Sequence, residues 1–201
     1  MMSAGRARRA VALSLALAGL AGMGGCLGRT SAARFYVLTP VAATGVAAAS
    51  TQGSGLIVSV GPVTLPSYLN RPQIVTRRAG GEVDLAEFDR WAEILIEAVP
   101  RVLAEDLGRL LGSDRVETYP SVTRGRYRVL VAIARFDGSP SGEVVLDARW
   151  QVVGPAGEEV AARRSAVTER VEGAGYAPLV AAMSRALGAL AGDIAAVLPR
   201  P

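Results

Sequence analysis

The chain has 201 residues, half of them hydrophobic, with 22 basic and 18 acidic side chains and a formal charge of +4. That is enough for one domain with a core of its own. Histidine is absent, every base is Arg, and Cys26 is the sole cysteine, which excludes Ser-His-Asp and Cys-His catalysis, a Cys/His zinc site, a lysine Schiff base, a P-loop and an intrachain disulfide.

Residues 1–25 read as an address. Arg6, Arg8 and Arg9 make a positive start, and Ala10 to Met23 is an apolar run of 14 residues. A transmembrane helix needs about 20 residues, so this run fits a signal peptide instead. Gly24 and Gly25 lead directly to Cys26. The arrangement resembles a bacterial lipoprotein signal, in which small residues precede a Cys that becomes the acylated first residue. An ordinary signal peptide with a chance Cys is the alternative, but it gives no reason for the one Cys to stand there. Acyl chains such as palmitate on Cys26 would hold the protein to membrane lipid without spanning the bilayer. Residues 26–32 would then be a tether. Leu27, where Asp would resemble the inner-membrane retention signal, points to the outer membrane, facing the periplasm. Removal of 1–25 leaves 19 Arg against 18 carboxylates. No basic excess remains for nucleic acid, so no nucleic-acid partner is expected.

The mature part, 33–199, reads as one domain. Arg34–Thr39 predicts a short strand, and 40–55 a small, uncharged, flexible loop. Leu56–Val60 predicts a strand closed by Gly61-Pro62. Val63–Arg71, with Pro66 and Pro72, reads as loop or edge because proline lacks a ladder donor. Tyr68, Leu69 and Trp91 are either exposed anchors for a partner or packing beneath that loop. Gln73–Arg77 and Glu82–Leu85 flank Ala79-Gly80-Gly81 as a hairpin. Arg71, Arg77, Arg78 and Arg90 either form a phosphate-binding patch or a solvated, ion-paired face.

Trp91–Leu111 has helical periodicity, with Leu95, Val99, Val102, Leu103, Leu107 and Leu110 on one stripe. Glu97, Arg101, Glu105 and Arg109 alternate in sign on the other. Pro100 should kink or split this helix, and Gly112 should end it. Glu87, Asp89 and Glu93 fit the start of that helix, where its partial positive charge favours acids, better than a catalytic carboxylate pair. Asp84, Glu105 and Asp106 complete the set of candidate acids.

Arg115–Tyr119 predicts a short strand, and Tyr127–Phe136 a strand covered on both faces. Val144–Val152 alternates, with Val144, Leu146, Ala148, Trp150 and Val152 facing inward. Gly154–Gly157 turns the chain into Glu159–Arg170, so 127–170 forms a meander. Pro178–Leu198 predicts a last helix that, being poor in charge, is either deeply buried or set against another subunit. The fold class is α/β or α+β: a single mixed β-sheet with a C-terminal antiparallel meander and two main helices.

Five stretches carry a family resemblance: Phe35-Tyr36-Val37-Leu38-Thr39-Pro40, Val60 to Val75 (VGPVTLPSYLNRPQIV), which is the strongest, Arg90-Trp91-Ala92-Glu93, Arg101-Val102-Leu103 and Phe136-Asp137-Gly138. From about residue 33 to 198 the chain resembles the ABC-type transport auxiliary lipoproteins, the family of the paraquat-inducible protein C. The resemblance implies a non-enzymatic component with no cofactor. Its implied partners are an inner-membrane permease and ATPase and an MCE-domain protein that bridges the periplasm. Homo-oligomers are implied by a relative. Pro62, Leu65, Pro66, Tyr68, Leu69, Arg71, Pro72, Arg90 and Trp91 are the residues expected to meet the MCE-domain protein, on account of the loop's proline and apolar content. The rival expectation is an envelope scaffold or regulator, similar in fold to the TolB amino-terminal domain, that serves cell-wall or secretion machinery.

Overall fold

The computed structural model describes residues 31–41, 56–121, 123 and 126–199. Cys26, the 1–25 segment and most of the 40–55 loop therefore lie outside the described residues.

The elements in chain order are β1 (Arg34–Tyr36), β2 (Val58–Thr64), β3 (Gln73–Arg77), β4 (Val83–Trp91), α1 (Leu95–Leu111), β5 (Val116–Thr118), β6 (Tyr127–Gly138), β7 (Glu143–Val153), β8 (Glu159–Arg170) and α2 (Tyr176–Ala195). All eight strands join one sheet. β6 is its spine. β7 pairs antiparallel along β6 from Arg128 to Gly138, and β8 pairs with β7 in the same sense. The other side of β6 is shared: β2 runs parallel to its first half, and β3 touches it at Gly138. β5 extends β2, while β4 and then β1 extend β3. The mixed sheet, meander and two helices are thus as the sequence predicts.

Binary patterning explains the two layers. In β7, Val144, Leu146, Ala148, Trp150 and Val152 are buried and alternate with wetter residues. β6 alternates as well: Val129, Val131 and Ile133 are buried, whereas Arg128, Ala132 and Ala134 are exposed. The expectation that β6 is covered on both faces is therefore incorrect. Past Arg128 its outward residues Leu130, Ala132 and Ala134 are small or apolar, which imitates a buried run in the sequence.

α1 begins at Leu95, four residues later than periodicity predicts, because Trp91 still belongs to β4. It runs unbroken through Pro100, which forfeits only the bond to the Ile96 carbonyl near the helix start. Gly112 ends it in the left-handed region, and its N–H donates to the Gly108 carbonyl. Asp84, Glu87 and Asp89 lie on β4, not at a helix start, which corrects the dipole reading. Glu93 instead pairs with Arg101 at 2.7 Å, and Arg101 also meets Glu105 at 3.1 Å.

α2 packs on α1 and on β6, β7 and β8. By length and composition it could cross a membrane, yet Leu179, Met183, Leu187, Leu190 and Ile194 are in the core. Its lack of charge is accounted for by burial inside this domain. Each such leucine contributes about 1.5–3 kcal/mol on leaving water. Its Asp193 accepts from the Ser165 hydroxyl at 2.6 Å, and Ser165 accepts from the Trp150 indole at 2.9 Å. That relay satisfies the one polar atom of a buried tryptophan.

Candidate partner-docking site

The proline-rich stretch 62–72 leaves the sheet where β2 bulges. The register of β2 on β6 shifts between Val60 and Val63, and Gly61 holds φ +117. Gly61 also lies against Tyr119: a β-carbon there would stand 2.9 Å from the Tyr119 β-carbon. Glycine is required on both counts. The strand continues through Pro62 to Thr64, so Gly61-Pro62 does not close it as expected.

Past the strand, Ser67–Leu69 makes a single 3₁₀ turn. The Leu69 N–H donates to the Pro66 carbonyl at 3.0 Å, and the Asn70 N–H to the Ser67 carbonyl at 3.2 Å. The Trp91 N–H donates to the Pro72 carbonyl at 2.7 Å, tying the end of the loop to β4.

Beneath the loop stands a buried carboxylate. Asp137, fully enclosed at the end of β6, accepts from Arg77 Nε at 2.8 Å and Nη2 at 2.7 Å, from the Tyr68 hydroxyl at 2.7 Å and from Arg135 Nε at 2.9 Å. Burial alone would raise its pKa, but the bonds from Arg77, Tyr68 and Arg135 outweigh that and hold it below the ordinary carboxylate range. The Arg77 guanidinium lies 5.5 Å from the centre of the Tyr68 ring and donates to its hydroxyl at 3.0 Å. Burial pushes the Tyr68 phenol up, with Asp137 adding to the effect. The network is saturated and presents no free nucleophile or base. Its work is to fix the loop.

The expected contact residues divide sharply. Pro62 and Pro72 are exposed, and Leu65, Pro66, Tyr68, Arg71 and Arg90 are half-buried. Leu69 is 1% exposed and Trp91 4% exposed. Both belong to the core, so neither side chain can meet a partner, and the anchor reading of these two is corrected. Flanking prolines place an apolar residue in a turn without saying which way it points. Arg71 Nε is buried without a partner among the described residues. The arginines form no common patch: Arg77 is bound to Asp137, Arg78 pairs with Asp84 at 2.6 Å, and Arg90 donates to the Glu87 carbonyl at 3.1 Å.

A groove of about 670 Å³ that sequence reasoning missed opens beside the loop. Pro62, Thr64, Leu130, Ala132 and Ala162 are among its lining, together with the polar side chains Arg149, Gln151, Glu159, Arg163 and Arg164. This is the helix-free face of the sheet. The alternation of Leu130, Ala132 and Ala134 was the available signal. Among the described residues Arg149 and Arg163 make no ion pair. No three of His, Cys, Asp and Glu converge on a metal position among the described residues.

Comparison with known proteins adds a family and a fold. The profile described as "ABC-type transport auxiliary lipoprotein component" matches residues 36–195. No curated protein matches the chain. Among solved structures, an uncharacterised protein is 18% identical with a TM-score of 0.69, covering 83% of this chain and 98% of its own. Protein XCC0632 from Xanthomonas campestris is 16% identical with a TM-score of 0.62, covering 81% of this chain and 93% of its own. At such identities these two likenesses speak for the fold alone. The PelC dodecamer from Paraburkholderia phytofirmans is 14% identical with a TM-score of 0.42, covering 72% of this chain and 89% of its own; a likeness that low supports no conclusion about assembly.

Proposed function

Because the chain belongs to the ABC-type transport auxiliary lipoprotein component family, we propose that it serves a transporter by docking, not by catalysis. In this reading Cys26 is acylated and ties the domain to the periplasmic face of the outer membrane. The partner is an MCE-domain protein whose inner end meets a permease and an ATPase, and the cargo is membrane lipid. The observation that carries the reading is the loop 62–72, held rigid from below by Asp137 and Tyr68 and flanked by an apolar groove. A preordered loop binds without an ordering cost. Tethering to one membrane raises its local concentration, so weak docking suffices.

Leu69 and Trp91 have no place in this contact. The contact surface is Pro62, Ser67, Asn70 and Pro72 with the groove residues Leu130 and Ala132. The test is co-purification of the acylated chain with its MCE-domain partner. Asn70→Glu combined with Ala132→Glu should lower recovery at least ten-fold in a protein that melts normally. Unchanged recovery overturns the docking site. Isolation of a cell-wall enzyme in place of transporter subunits would favour the scaffold alternative.

A further inference from the structure

Among the described residues, six large apolar side chains are exposed, and four of them (Phe35, Val37, Val83 and Leu85) lie on β4 or on β1 and its continuation. Phe35 is 63% exposed and Val37 48%. Their neighbours in sequence are pinned. Arg34 Nη2 and the Tyr36 hydroxyl donate to Asp89 on β4 at 3.0 Å and 2.8 Å, and Leu38 is buried. β1 is thus clamped by one side, and the other side, continued by exposed Thr39, is held outward.

We propose that this side of β1 rests on the bilayer to which the chain is tethered. The proposal depends on the acylated Cys26 of the preceding section. Phe35 stands nine positions after Cys26, a reach of at most about 32 Å even when fully extended. An apolar surface so close to an acyl anchor meets lipid before any other apolar phase. β1 runs parallel to β4, with Arg34 beside Asp89. The amino end of β1 therefore points toward the end of β4 that carries Val83 and Leu85. Charge on this wing is balanced: Arg34, Arg77, Arg78 and Arg90 face Glu82, Asp84, Glu87 and Asp89. Contact is then apolar in origin and indifferent to the anionic content of the membrane, unlike a polybasic patch.

Acylation consumes the only thiol, so any added Cys can be labelled uniquely. The full acylated chain is placed in vesicles of phosphatidylethanolamine with 5% or 30% phosphatidylglycerol. A fluorophore on Thr39→Cys is compared with one on Thr168→Cys, on β8, using a lipid-borne nitroxide quencher. The expected result is quenching at least three-fold stronger at 39 than at 168, equal in both lipid mixtures and abolished by Phe35→Ser with Val37→Ser. Equal quenching at the two positions, or a difference that survives the serine pair, overturns the proposal. Excimer emission between Thr39→Cys labels in detergent assigns the patch to a second copy and overturns it too. Labelling of the chain without an added Cys has a separate meaning: Cys26 then carries a free thiol, the anchor itself fails, and the bilayer loses its claim on the patch.

Discussion

Asp106 is the least comfortable residue among those described. It is buried in α1, neither carboxylate oxygen has a hydrogen bond of ordinary geometry among the described residues, and Gly188 of α2 lies opposite, its β-carbon position 3.8 Å from one oxygen. Burial pushes its pKa up to about 6, against the pull of Arg109 and the Val41 backbone. A carboxyl whose pKa is higher in the folded state costs stability when ionised, so the cost is present above pH 6 and gone below about pH 4. Asp106→Asn should stabilise the domain by about 1–2 kcal/mol at pH 7.5 and leave it unchanged at pH 4, read by urea unfolding across pH. A variant equally stable or weaker at pH 7.5 would refute this account. Asp137 shows the opposite case, where bonds from two arginines and a tyrosine more than compensate burial. Little of this contrast was legible in the sequence. Each acid has a large apolar side chain directly beside it, and the partners that mainly separate them, Arg77 and Tyr68, are brought to Asp137 by the fold from 60 or more positions away. Leu69 and Trp91 were ambiguous for the same reason: an apolar side chain beside a proline gives its position, not its direction.

At the level of elements, hydrophobic period was a good guide to what each segment is and a poor one to where it stops. β7 and β8 and the stripe of α1 follow their patterns closely. β4 does not: its register on β3 shifts between Gln73 and Val75, and the bulge breaks the alternation that would have announced a nine-residue strand. β2 continues through Gly61 and Pro62 because a second bulge accommodates both. The cost of that bulge rests on Gly61. Gly61→Ala places a side chain at φ +117 and drives it into Tyr119, so it should destabilise the domain by about 1–3 kcal/mol. Thermal or urea unfolding checks this, and a neutral substitution would mean that β2 can rebuild the bulge.

For the whole molecule, composition sets an unusual electrostatic rule. There is no His and no Lys, so the cations keep their charge throughout the neutral and mildly alkaline range. Docking on a partner should change less than two-fold in affinity between pH 7 and pH 9, measured by titration of the purified partner. A steep pH dependence would place the titrating group on the other protein. The family was legible from short local stretches, because its motifs are written in consecutive residues. The branched sheet was not, since its pairings join residues far apart in sequence.

That branching has a consequence in time. Two wings, β1–β4–β3 and β5–β2, meet only through β6. A chain emerging amino end first, from a ribosome or a translocation channel, exposes more than half its length before the strand that unites them arrives. The two wings cannot join through β6 until Gly138 is out to meet Thr76, and that step waits on contacts of high sequence separation. The polypeptide stays threadable for most of its passage and becomes a solid body only near the end.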